Sequence, residues 1–84
     1  MKAKIISMGK EFDGVEEVLV NVYEDITEDN LYYSVQISAW RSQLGFDPTY
    51  HYETIPFNDP HLAAAYVYDF SIESARAFLD SYVN

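Results

Sequence analysis

Leu31-Tyr32-Tyr33-Ser34-Val35-Gln36-Ile37-Ser38-Ala39-Trp40 is the stretch that decides the fold. Leu31, Tyr33, Val35, Ile37 and Ala39 alternate with Tyr32, Ser34, Gln36, Ser38 and Trp40, and a period of two marks a strand with one buried face. The first set is expected to pack inward. Tyr32 and Trp40 then stand on the outer face, with Arg41 next in the chain.

Working outward, the polar turn at 27–30 links this strand to a preceding one over 15–26. There Val18, Val20 and Val22 share one face, which is expected to be core, and Leu19, Asn21 and Tyr23 share the other. Asp13-Gly14 before it reads as a hairpin turn, since both residues tolerate positive φ, and residues 3–12 read as an edge strand interrupted at Gly9. Downstream, Gly45 and Asp47-Pro48 make 41–49 a loop. Residues 50–57 alternate again, with Pro56 ending the strand or placing it at an edge.

Asn58-Asp59-Pro60 is a helix-start signature. The segment after it carries two signals: Leu62 and three alanines favour helix, whereas Tyr66, Tyr68 and Phe70 alternate as in a strand. It is read as a helical turn followed by a strand. Ser71 then caps an amphipathic helix in which Ile72, Ala75, Leu79, Tyr82 and Val83 recur at helical spacing, and Glu73 complements the helix dipole. The expected fold is a single α+β domain over 1–84: an antiparallel sheet of four to five strands covered on one face by a C-terminal amphipathic helix.

Composition agrees with a folded domain. Apolar residues make up 49% and charged residues 23% of 84, the balance of a globular chain rather than of an acidic disordered tail. Eight Tyr, five Phe and one Trp supply the large groups that so small a core requires. An expected radius of gyration is roughly 12 Å. With no cysteine, disulfides and thiolate metal sites are excluded. The N-terminal residues lack the apolar stretch of about 7–15 residues that a signal peptide carries, and no apolar run approaches about 18 residues, so a cytoplasmic, non-membrane protein is expected.

Catalytic signatures are few. His51 and His61 fall on different expected elements and match no zinc spacing. No G-x-S-x-G turn or phosphate-cradling glycine loop occurs. Asp25, Thr27 and Asp29 imitate the start of a calcium loop, but Asn30 replaces its glycine and Gln36 its closing glutamate. A non-enzymatic protein without metal or cofactor is expected.

The net charge of −9 disfavours direct contact with nucleic acid or an anionic membrane. Glu11, Asp13, Glu16, Glu17, Glu24, Asp25, Glu28 and Asp29 form an unbalanced acidic run, with no Lys or Arg between Lys10 and Arg41. In the expected fold these eight make two patches roughly 20 Å apart, one at each end of the second strand. Such acids keep a small sheet soluble and discourage edge pairing. They also suit a second role, imitating phosphates and occupying the basic groove of a nuclease or other nucleic-acid-binding effector. Tyr32 and Trp40 are the residue types that anchor interfaces most often.

In size, acidity and aromatic content the chain resembles small phage-encoded inhibitors, anti-CRISPR and DNA-mimic proteins among them, and bacterial nuclease-immunity proteins. These groups have varied folds, so the resemblance implies a mode of action and assigns no residue. The function it implies is an acidic inhibitor or adaptor that occludes a basic, nucleic-acid-handling protein; the charge pattern and the alternation of the strands, not the resemblance, make the eight acids with Tyr32 and Trp40 the expected contact set. A self-associating module, dimerising by a sheet edge or aromatic face, and a small-ligand-binding domain are the other expectations.

Overall fold

The computed structural model describes residues 3–8, 14–26, 31–43 and 46–81, with 3, 25, 26, 31, 43 and 46–48 described through their backbone alone. Four strands, β1 (Ala3–Ser7), β2 (Glu17–Ile26), β3 (Leu31–Gln43) and β4 (Phe46–Phe57), form an antiparallel meander in the order β1-β2-β3-β4. Two helices follow, α1 (Pro60–Asp69) and α2 (Ile72–Asp80). The α+β class and the helical cover on the sheet are those expected from the sequence.

The alternation that defines β2 and β3 sets the core. Val18, Val20 and Val22 pair across to Ala39, Ile37 and Val35, and all six are buried. Ala63 and Val67 of α1, Phe70 of the link, and Ala75, Phe78 and Leu79 of α2 close over them in one cluster. Both helices therefore lie on the Val face, and burying that face supplies most of the driving force for folding.

Both helix starts form where the sequence places them. Asp59 accepts the His61 amide at 2.8 Å with Pro60 in the first turn, and Ser71 and Ser74 make a reciprocal capping box. At the far end of α1, Lys4 of β1 donates to the Tyr68 carbonyl at 2.9 Å, placing a cation on a carbonyl that the helix leaves unpaired. Tyr82 and Val83, expected in the last turn of α2, lie outside the described residues, as does the 27–30 turn.

Three expectations are corrected. Residues 65–70 are not a strand: 60–69 is one helix, in which Ala63 and Val67 face inward four residues apart while Tyr68 is 82% exposed. The Tyr66-Tyr68-Phe70 alternation was thus accidental, overridden by the Asp59-Pro60 start and the alanine run. Residues 41–49 are not a loop, since pairing continues through Arg41 with Thr49 and Gln43 with Phe46, across an irregularity between 41 and 43. Asp47-Pro48 is accommodated because β4 is an edge strand, where a missing amide donor costs nothing. Pro56 sits on the same edge strand, opposite Ser34.

The third correction concerns the first hairpin. A two-residue turn at Asp13-Gly14 would pair Phe12 with Val15, but the register pairs Ser7 with Glu17, and the Met8 amide donates to the Glu16 carbonyl at 2.7 Å. β1 therefore ends at Ser7; residues 9–13 lie outside the described set. Gly14 does take positive φ (79°), for a different purpose: its carbonyl accepts the Ser42 amide at 2.8 Å, and a Cβ there would fall on the Ser42 carbonyl oxygen.

The molecule is elongated, 47 × 24 × 21 Å with a radius of gyration of 14.1 Å, above the value expected for a compact chain. Its cause is the β3/β4 hairpin, whose strands of 13 and 12 residues extend to about 40 Å at about 3.3 Å per residue.

Candidate functional site

Because both helices pack on one side, the other side of the sheet carries no described segment over it. Its residues are the alternates of the core set: Leu19 and Tyr23 on β2, Tyr32, Gln36 and Trp40 on β3, Tyr50, Tyr52 and Thr54 on β4. Tyr32 is 42% exposed and Trp40 60% exposed. They are surface residues, and α1, which follows β4 directly, packs on the opposite face.

Pairing of β3 with β4 builds an aromatic row on this face. Trp40 is opposite Tyr50, with ring centroids 4.7 Å apart and tilted by 49°, and Tyr50 stacks on Tyr52 at 5.7 Å. Such pairs contribute roughly 0.5–1.5 kcal/mol each beyond area burial. Ser34 and Ser38, on the same face, are buried between the larger side chains; Ser38 lies directly opposite Tyr52.

A shallow hollow of about 530 Å³ lies beside Trp40 on the outer face. Leu19, Ile5 and Ser38 line it with the Trp40 and Tyr50 rings, and Glu16 and Glu17 lie at its margin. Among the outer-face strand residues whose side chains are described Glu17 is the single charged one, and the backbone of β2 places Asp25 on the same face at the far end, so the middle of the sheet surface is aromatic and polar with acidic positions toward both ends of β2.

The acidic residues divide accordingly. Glu16, Glu17 and Glu24 are exposed. Glu17 and Glu24 are seven positions apart on β2, about 23 Å, near the expected spacing, but they point to opposite faces of the sheet. Asp25 is placed by its backbone opposite Tyr32. Glu11, Asp13, Glu28 and Asp29 lie outside the described residues. What the structure brings together is thus Glu16, Glu17 and Trp40 at one end, and at the backbone level Asp25 and Tyr32 at the other, with Tyr32 about 26 Å from Trp40 along β3.

Tyr50, Tyr52, Leu19 and Ile5 were not singled out from the sequence. The alternation of Tyr50 and Tyr52 put them on one face, but only the hairpin register, hidden while 41–49 read as a loop, sets that face beside Trp40.

The inner side offers less. His51 lies opposite Ala39, and burial, with the Arg41 guanidinium second, holds its imidazole below the usual range, so it favours the neutral form. A second hollow, of about 360 Å³, lies between sheet and helices and includes Glu53, Tyr66 and Phe78. Burial there, and then the Glu53 carboxylate, push the Tyr66 phenol up. Among the described residues no group of three His, Asp or Glu side chains is placed to hold a metal, and no helix is long and apolar enough to cross a membrane. No protein-family model, curated protein or solved structure matches the chain.

Proposed function

We propose that this chain is a non-enzymatic inhibitor or adaptor that binds a basic, nucleic-acid-handling protein through the outer face of its sheet. The observation that carries this reading is the uncovered aromatic row Trp40-Tyr50-Tyr52 with Glu16 and Glu17 at its end. Rigid, exposed aromatics supply contact area at low entropic cost, while the net charge speeds encounter with a positive partner. Occlusion would be steric and electrostatic.

Self-association by edge pairing is disfavoured by the sheet itself. β4 is a long edge but carries Pro48 and Pro56, and β1, the other edge, has five residues. Two copies would also bring like charge together.

Affinity capture from host lysate at low salt, with duplex DNA as a competitor and mass spectrometry of the bound fraction, tests this reading. Basic nucleic-acid-binding proteins released by salt or DNA, and not captured by Trp40→Ala, are the expected result. Recovery of the chain alone, or capture indifferent to Trp40, overturns it.

A further inference from the structure

We infer that the outer-face hollow is a receptor for an arginine side chain presented by the partner, an assignment that rests on the protein-binding reading above and gives it a chemistry. The hollow has three surfaces that match one side chain. Ile5, 61% exposed, and Leu19 provide an apolar bed for a methylene stem. Trp40, 60% exposed and tilted by 49° against Tyr50, offers an aromatic surface on which a flat cation can stack. Glu16 and Glu17, both exposed, complete the lining with two carboxylates.

Charge decides the sign of the occupant. No Lys or Arg is among the described residues lining the hollow, and the whole chain carries −9, so an anion is repelled and a cation drawn in. Two carboxylates are too few for calcium, which takes about 6–8 oxygen ligands, and among the described residues no third His, Asp or Glu joins them. A guanidinium fits better than an ammonium: it is planar, weakly hydrated, stacks on an aromatic ring and still directs its N–H fork at a carboxylate. A second copy of this chain is a poor donor, since its own charge opposes approach, Arg41 is half-buried and the exposed Arg76 already makes an interaction within its own chain.

The test uses the full chain and three blocked peptides alternating glycine with arginine, lysine or citrulline, read by the fluorescence of Trp40, the one tryptophan present, and by amide and indole NMR shifts. The arginine peptide is expected to give a saturable response centred on Trp40, Leu19 and Glu17. Lysine should bind about fivefold or more weakly and citrulline should not register. The Glu16→Gln/Glu17→Gln double variant, made at exposed positions and checked for an unchanged melting temperature, should weaken the arginine peptide about tenfold. Citrulline binding as well as arginine, or shifts elsewhere with Trp40 silent, overturns the assignment. The two failures are separable. Partner capture lost in Trp40→Ala but unchanged in the glutamine pair removes the arginine site and keeps the protein-binding face, whereas arginine binding without any captured partner removes the latter alone.

Discussion

Truncating one residue on each face of the sheet tests the architecture on which the site depends. Leu79 of α2 is fully buried, and its replacement by Ala keeps helix propensity, so the cost is packing. Leu→Ala changes at such positions cost about 2–5 kcal/mol; for a fully buried member of the core cluster, about 3–4 kcal/mol is expected. Trp40 is the larger group but is 60% exposed. About two-fifths of the roughly 150–250 Å² a large aromatic can bury is at stake, an upper bound of about 1.5–2.5 kcal/mol. Discounted for a denatured state that already shields part of it, Trp40→Ala should cost about 1–2 kcal/mol. A domain of this length holds roughly 4–13 kcal/mol in total, so the first variant loses a much larger share of it than the second and at the lower end of that range is close to unfolding. Urea titration followed by far-ultraviolet circular dichroism, which does not rely on the lost indole, reads both. With a slope of about 1 kcal/mol per molar, Leu79→Ala should lower the midpoint by about 3 M and Trp40→Ala by half that or less. If Trp40→Ala were as damaging as Leu79→Ala, the outer face would be covered in solution and the case for a binding surface there would collapse.

Two further outcomes follow from local geometry. Gly14→Ala puts a methyl group on the Ser42 carbonyl oxygen at a φ of 79°, so strain plus a weakened Ser42-to-Gly14 hydrogen bond should remove about 2 kcal/mol and lower the melting temperature by roughly 8–16 °C; an unchanged melt would mean that this turn is not built as described. His51 should make stability pH-dependent: its folded value is depressed below 6.5 by burial and by Arg41, so the unfolded chain binds the proton first. Stability is then full above about pH 6.5 and declines as pH falls from there toward the folded value. His51→Gln should flatten that decline in denaturation curves taken between about pH 7 and 5, and parallel curves for the two proteins would remove His51 as its source.

How much was legible in the sequence differs element by element. The alternation in 31–40 and in 18–23 determined which side chains are core, because a strand with one buried face has no other way to distribute Val35 and Ile37 against Ser34 and Gln36. Asp59-Pro60 and Ser71 determined where the helices begin, since capping is local chemistry between a side chain and amides two or three residues away. Trp40 and Tyr32 were readable as outer-face aromatics for the same reason. What local chemistry leaves open is pairing. Gly45 and Asp47-Pro48 carry loop character, yet cross-strand hydrogen bonds with β3 and the tolerance of an edge position for proline extend β4 back to Phe46. That register places Tyr50 on Trp40 and Tyr52 opposite Ser38. The 60–69 segment was likewise settled by burial of Ala63 and Val67 against the sheet rather than by the spacing of its tyrosines. Which acids share a surface with the aromatics is again tertiary: β2 turns Glu17 outward and Glu24 inward, and β1 sets Ile5 opposite Leu19. The sequence by itself determined one amphipathic sheet, two capped helix starts and a strong negative charge. Only the folded chain decided that both helices take the same face, and it is their absence from the other that leaves Trp40, Tyr50, Glu16 and Glu17 together at the surface.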